Sequence, residues 1–426
     1  MRRRPWWHSS WITTSMTWWA RFRMSSRASF RPDDPVEGGA RRTCKRIIVS
    51  QRRSRIVVGL DPYPTEQVMP NAPALFTSLN LGALTLPNRI IMAPLTRCRA
   101  DANHVPTGLM ATYYAQRASA GLIIAEATMV LEGNSAFGGR EPGIYSKAQV
   151  DGWKSVTDAV HDKGGRIILQ LWHGGRACHP YFNAGAQPVA PSPLAITGDE
   201  IHTPEGKKPY VLPRELRDDE LPGIAAGFRI AAQNARSAGF DGVEVHGANG
   251  YLLDEFLRDG SNKRAGPYGG PMVHRARLLL ECIDAAVEVW GADRVGVRLS
   301  PLNSYNDMRD SDPVALTGYV AAQLDARKLA YLHLMRGDFM RAQHGDVVSA
   351  ARKNYSGNLI GNMGYSAAEA NAAVAAGTLQ AVAFGHHYVS NPDLVERVRA
   401  GAAFAEPDAS TFYSQDARGY TDYPTR

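Results

Sequence analysis

Val243-Glu-Val-His-Gly-Ala-Asn-Gly-Tyr-Leu-Leu-Asp-Glu-Phe-Leu257 joins a strand signal to a helix signal through a polar break. It opens as a short β-branched strand after Gly239-Phe240-Asp241-Gly242, breaks at Gly247 and Gly250, and resumes as an apolar-periodic helix. A strand that ends in polar groups and turns into a helix is one βα unit. His246, Asn249 and Tyr251 cluster where that strand ends, which in a βα-barrel is the rim of the active site. The trio offers two hydrogen-bond donors for a substrate oxygen and one phenolic proton donor. A carbonyl could be polarised and a carbon protonated from one loop. The competing reading is polar residues that only satisfy loop backbone.

Working outward, strand and helix signals alternate from about residue 70. Short apolar runs at 90–93, 122–125, 167–171, 242–245, 295–299, 331–334, 359–361 and 381–384 lack alternation, as expected of parallel strands buried on both faces. Helical patterns lie between most of them, for example at 225–238 and 367–376. Eight such units predict a (β/α)₈ barrel. A doubly wound nucleotide fold is disfavoured, because no two glycines are separated by a single residue and G-x-G-x-x-G is absent. The longest gap, from His173 to about Arg214, is rich in Pro, Gly and Ala and follows the third strand. A loop of that length is expected to carry structure of its own and to cap the barrel mouth.

Residues 1–68 read differently. They hold five of the eight tryptophans and 14 Lys/Arg against 5 Asp/Glu, while the rest of the chain holds 34 against 36. The net charge of +7 is therefore an N-terminal property and gives no reason to assign the barrel to nucleic acid. The segment is expected to be a disordered extension or the product of a start placed too early. A transit peptide and a nucleic-acid or membrane-surface arm are the alternatives. The barrel is expected over residues 70–426. Four scattered cysteines without a C-x-x-C pair suit a reducing, cytoplasmic setting, with organellar import left open by the extension. No apolar run reaches ~18 residues, so no membrane span is expected. His173 and His179 lack a partnering carboxylate or thiolate cluster, and no metal site is expected.

Several strand ends carry polar or small residues with a common theme. Met92-Ala-Pro-Leu-Thr-Arg97 follows the first strand, Ala125-Glu-Ala-Thr128 ends the second, and Leu169-Gln-Leu-Trp-His-Gly-Gly-Arg176 ends the third. Arg298 lies in Val295-Gly-Val-Arg-Leu-Ser-Pro301, and the last two units carry Gly361-Asn-Met-Gly-Tyr365 and Ala383-Phe-Gly-His-His-Tyr-Val-Ser-Asn-Pro-Asp-Leu394. Glu126 has a competing reading as a structural ion-pair partner, and Arg298 has one as an Arg buried in a barrel ion pair. Gln170 has an amide able to donate and accept at once.

Together these motifs resemble the old yellow enzyme family over about residues 72–424. The likeness is to its classical branch, the N-ethylmaleimide reductase- and 12-oxophytodienoate reductase-like flavoproteins. Thr96 marks that branch, since another branch has Cys there, and Cys98 lies two residues further on. Ser261-Asn-Lys-Arg264 and Tyr268-Gly-Gly270 match a post-helix loop, with Ala265-Gly-Pro267 departing from it. The resemblance implies FMN as cofactor, held by Ala93, Pro94, Leu95, Thr96, Ala127, Gln170, Arg298, Asn362, Gly364, Gly385 and His386. It implies a substrate pocket formed by Trp172, Phe137, His246, Asn249, Tyr251 and Tyr413, with Phe137 where relatives often have Tyr.

The implied reaction is reduction of the activated C=C bond of an α,β-unsaturated carbonyl, nitro or maleimide compound. NADPH, or NADH, is the reductant, His246 and Asn249 bind the oxygen, and Tyr251 is the proton donor. The implied partner is a small enone-type molecule, with the protein a monomer or homo-oligomer. One residue departs from the family pattern: His386 stands where an Arg contacts the FMN phosphate. Neutral His brings one donor and no fixed charge. The alternative reading is therefore a catalytically weakened FMN- or ligand-binding barrel.

Overall fold

The computed structural model describes residues 72–426. Its centre is a closed barrel of eight parallel strands: β1 (Ile90–Met92), β2 (Leu122–Met129), β3 (Ile167–Trp172), β4 (Val243–Gly247), β5 (Val295–Leu299), β6 (Tyr331–Met335), β7 (Leu359–Asn362) and β8 (Ala381–Phe384). Each pairs with the next in sequence order, and β8 pairs with β1. All eight match the short apolar runs, and every residue of these strands is buried. The outer ring is α1 (Gly108–Ala115), α2 (Lys147–His161), α3 (Leu221–Ser237), α4 (Arg277–Trp290), α5 (Pro313–Arg327), α6 (Val347–Asn354), α7 (Ala367–Ala375) and α8 (Leu394–Ala400). The helix expected at 225–238 begins earlier, at Leu221, because Pro222 is accommodated in the first turn.

Two apolar layers follow from the strand period. One lies between strands and helices and includes Ile90, Val243, Val245, Val297 and Leu332 with Phe228, Ala231 and Leu279. The other lies inside the barrel and joins Ile91, Leu122, Ile124, Ile168, Ile360 and Ala381 to a hairpin formed by Leu79–Leu81 and Leu84–Leu86. That hairpin plugs the end where the strands begin. Gly82 at its tip has φ +60° and lies so close to the Asp293 carbonyl that a Cβ would sit 2.0 Å from the oxygen. Among the described residues no helix is long and apolar enough to cross a membrane.

β2 is longer than its apolar run suggests, because it carries a bulge between Ala125 and Thr128. A bulge re-aims the side chains it contains, here Glu126 and Ala127. The segment between β3 and α3 does carry structure of its own. A parallel pair joins Val189–Ala190 to Arg214–Glu215, and Glu200–Thr203 and Gly206–Pro209 form a hairpin. Residues 1–68, and with them the readings of that segment, lie outside the described residues.

Candidate active site

The strand ends bring the sequence-predicted residues to one mouth. Parallel register sets His246 of β4 beside Arg298 of β5, and Arg298 beside His333 of β6. After β4 the chain turns on Asn249 and Gly250, with φ of +58° and +71°. Asn tolerates the left-handed region better than most residues. The turn is anchored from behind: the Asn249 N–H donates to Ser300 Oγ (2.7 Å) and the Gly250 N–H to Asp254 Oδ2 (2.9 Å). Asn303 Nδ2 donates to Asn249 Oδ1 (2.9 Å), and Asn306 Nδ2 to the Asn249 carbonyl (3.0 Å). With its oxygen engaged, the Asn249 Nδ2 is left with no protein acceptor among the described residues.

His246 is buried, and its Nδ1 has no protein partner. Burial, helped by the charges of Arg298 and His333, holds its pKa well below the ordinary value. It is therefore a neutral imidazole at neutral pH, one donor and one acceptor. Tyr251 is also buried. Its ring lies 5.2 Å edge-on to Trp172 and 5.4 Å from His246. Burial first, then the neighbouring phenols of Tyr305, Tyr210 and Tyr413, hold its pKa well above the ordinary value. The phenol keeps its proton and is available to give it.

Beneath them lies a polar layer that sequence reasoning missed. Glu244, one turn of the pleat below His246, is fully buried. It accepts from Gln170 Nε2 (2.7 Å), from Tyr331 Oη (3.0 Å) and from the His333 ring at Nδ1 (2.9 Å). Tyr331 reaches it across Gly296, where a Cβ would sit 2.0 Å from the ring. Burial works against this carboxylate, but His333, Arg298 and Gln170 outweigh it and keep its pKa below the ordinary value. Arg298 has no direct ion pair. Its Nη2 donates to Asn362 Oδ1 (2.9 Å), whose Nδ2 donates to the Ala383 carbonyl (2.7 Å), and its buried Nε has no partner. Asn362 thus spends its side chain on aiming Arg298.

The rest of the rim is apolar. Ala93 and Pro94 are buried, Leu95 and Thr96 half-buried. A Cβ on Gly385 would meet Leu95 at 3.4 Å, so the turns after β1 and β8 abut. Ala127 joins Trp172 and Tyr251 in one cluster with Ile196, against which Tyr210 packs. Ile196 and Tyr210 come from the long insertion, so it does reach the mouth. Phe137 lies 6.4 Å from both Trp172 and Tyr251, and 6.2 Å from Tyr413, which is 53% exposed on the outer edge. Gly364 has φ +67° in the turn after β7. His386 opens a short helix, and its Nε2 lies 3.6 Å from Glu406.

Glu126 corrects its competing reading. Among the described residues it forms no ion pair: it accepts from Tyr114 Oη (2.9 Å) and from the Arg97 N–H (3.2 Å), and burial raises its pKa to about 7. The Arg97 guanidinium instead donates to the carbonyls of Phe412 and Gly419, because the C-terminal segment folds over it.

The family model for the NADH:flavin oxidoreductase / NADH oxidase family matches residues 74–404. A Leishmania infantum protein named as a probable flavin mononucleotide-dependent alkene reductase is 49% identical over 351 residues, spanning 81% of this chain and 96% of its own. The 12-oxophytodienoate reductase 1 of Oryza sativa subsp. japonica is 43% identical over 359 residues, spanning 82% of this chain and 92% of its own. Among solved structures, the old yellow enzyme from Trypanosoma cruzi superposes with TM-score 0.81 at 46% identity, covering 83% of this chain and 99% of that one. Morphinone reductase superposes with TM-score 0.80 at 47% identity, covering 84% and 97%. The chain belongs to the NADH:flavin oxidoreductase / NADH oxidase family and, within it, to the FMN-dependent alkene reductases of old yellow enzyme type.

Proposed function

We propose that this protein reduces the activated C=C bond of α,β-unsaturated carbonyl, nitro or maleimide compounds, with Tyr251 as proton donor and His246 and Asn249 as the oxygen-binding pair. The mouth fits FMN. Three buried polar atoms there, His246 Nδ1, Arg298 Nε and Trp172 Nε1, have no protein partner among the described residues. Leaving a buried donor unmet costs ~1–3 kcal/mol, so a set of three marks a site built around something else. Gln170 and Arg298 would hold the ring system, with Ala93, Pro94, Leu95, Thr96 and Ala127 against it. The turns containing Asn362–Gly364 and Gly385–His386 would hold the phosphate. When bound, FMN would supply the hydride-transfer chemistry between a reduced nicotinamide and the alkene.

The remaining work falls to side chains. Arg298 keeps a permanent positive charge where negative charge develops. His246 and Asn249 donate to the substrate oxygen and draw electron density from the alkene. Tyr251, kept protonated by burial, gives its proton to the α-carbon. Phe137, Trp172, Tyr210 and Ile196 exclude water and favour a flat apolar substrate. The observation that carries this reading is the convergence of a neutral imidazole, an aimed amide and a protonated phenol on the single turn after β4.

NADPH is the proposed reductant. One structural relative was solved as morphinone reductase in complex with tetrahydroNAD, which supports a nicotinamide at such a mouth. The test is an absorbance spectrum of the purified protein, anaerobic titration with NADPH and then NADH, and reoxidation with cyclohexenone. A yellow protein that NADPH bleaches and cyclohexenone restores is the expected result. A colourless protein that takes up no FMN would favour the weakened ligand-binding barrel suggested by His386. The activity is placed in residues 70–426, and that segment expressed alone is expected to keep it.

A further inference from the structure

We propose that Arg336 is the positioning residue of the phosphate end: its guanidinium holds the outward carbonyls of the Met363–Gly364 turn, so that the N–H groups of that turn face the mouth and receive phosphate. The proposal rests on the FMN reading above.

The geometry starts from register. Met335, the last residue of β6, lies beside Asn362, the last of β7, so Arg336 emerges next to the turn. Its Nε donates to the Met363 carbonyl (3.0 Å) and its Nη2 to the Gly364 carbonyl (2.6 Å). The same guanidinium is fixed on the helix side, 3.7 Å from the Tyr365 ring centre and 3.1 Å from Glu369 of α7. In a trans peptide the C=O and the following N–H point opposite ways. Pulling both carbonyls toward the helix layer therefore turns the N–H groups of Gly364 and Tyr365 away from it. Neither of those N–H groups has a protein acceptor among the described residues.

The turn is also held in an uncommon conformation. Met363 and Gly364 have φ of +80° and +67°, and a left-handed Met is unfavourable without an external hold. Successive backbone N–H groups in such a turn form an anion-binding concavity. A backbone cradle of this kind answers the question raised by His386, because it needs no charged side chain at that position, where Nε2 lies 3.6 Å from Glu406. A planar fork grips two consecutive carbonyls in fixed directions. A Lys has donors enough for both carbonyls but no rigid spacing between them.

The test titrates flavin-free full chain with FMN and with riboflavin, which lacks the phosphate, and follows flavin fluorescence. Wild type should bind FMN more tightly than riboflavin. Arg336→Ala should lose about ten-fold or more in FMN affinity, about 1.4 kcal/mol, with riboflavin affinity changed by less than about two-fold. Arg336→Lys should recover only part of the loss, and it decides the matter if the Ala variant is insoluble. Equal losses for both flavins would show general loosening and overturn the proposal, as would a Lys variant indistinguishable from wild type. Wild type that binds FMN no better than riboflavin would remove the phosphate-end reading itself, and the proposal with it. A wild type that binds both flavins while Arg336→Ala leaves FMN untouched would sink the role of Arg336 alone.

Discussion

In the turn after β4, side chains face the mouth and the backbone is tied down behind them. After β7 the arrangement is reversed: Arg336 and Asn362 are engaged by protein groups, while the Gly364 and Tyr365 N–H groups have no protein acceptor among the described residues. Asn249 is held through its N–H, its carbonyl and its side-chain oxygen by Ser300, Asn306 and Asn303. Asn362 has both ends of its amide occupied. The contrast follows from what each end must recognise. A substrate carbonyl and a carbanion need a donor and a proton at fixed points, which takes particular side chains. A phosphate needs several N–H groups, which any backbone in the right shape supplies.

The strongest way to break the comparison is at Tyr251. Tyr251→Phe should slow reoxidation by enones by about 10²–10⁴-fold, the usual contribution of general acid catalysis. Reduction by NADPH should stay nearly unchanged, because no proton from Tyr251 enters that half. Stopped-flow measurement of both half-reactions decides it, and equal slowing of the two would leave Tyr251 only a binding role.

Next in size is the oxygen-binding pair. His246→Ala combined with Asn249→Ala removes two hydrogen bonds of ~0.5–1.5 kcal/mol each. Phenol and enone affinity should fall roughly ten- to a hundred-fold. Phenol affinity equal to wild type in a spectroscopic titration would take the substrate oxygen elsewhere.

How much of this was legible in the sequence follows the same divide. The eight strands could be read because each is a short apolar run, buried on both faces and bounded by glycine or polar residues. His246, Asn249 and Tyr251 could be read because they stand within six residues of one another on one turn. Their supports could not, since Ser300, Asn303 and Asn306 belong to the loop after β5. Glu244 looked like strand filler. Its partners Gln170, Tyr331 and His333 sit on three other strands and meet it only through barrel register. For Glu126 the sequence offers a structural ion pair as a competing reading. The C-terminal segment took Arg97 away from it and left a phenol. Arg336 gave no signal, because its partners are backbone carbonyls that no motif records.

A smaller effect separates the two ends by pH. The helix Leu252–Leu257 that props the β4 turn carries Glu255, fully buried, with Oε1 accepting from the Arg176 N–H (2.8 Å) and Oε2 unpartnered. Burial raises its pKa from 4.5 to about 8. The folded state then holds this proton where the unfolded state has lost it, so stability is full below pH ~4.5 and falls as pH rises through about 8. Between pH 6 and 8 the loss should approach about 3 kcal/mol, two units at 1.36 kcal/mol per unit, and the slope should flatten above pH 8. Glu255→Gln should flatten that slope in denaturant unfolding. An unchanged slope would assign the pH dependence to other groups, Glu126 first among them, whose buried carboxyl is raised to about 7.

The smallest effect is expected at the phosphate end, from His386→Arg. A permanently charged guanidinium is the stronger phosphate ligand, and a charge-assisted hydrogen bond contributes ~1.5–3 kcal/mol in full. The full value is not expected here, for two reasons. Glu406 stands 3.6 Å from His386 Nε2 and would compete for an introduced Arg. The backbone cradle held by Arg336 already meets part of the phosphate's demand. FMN affinity should therefore rise by about ten-fold or less, and Glu406→Gln added to His386→Arg should raise it further by freeing the guanidinium. Flavin fluorescence on dilution of the holoprotein measures both. A hundred-fold gain from His386→Arg alone would mean that wild type lacks a working phosphate site, and the contrast between the two ends would become one between a built site and a degraded one. No gain in either variant would leave the cradle sufficient by itself, the sharper form of the same contrast.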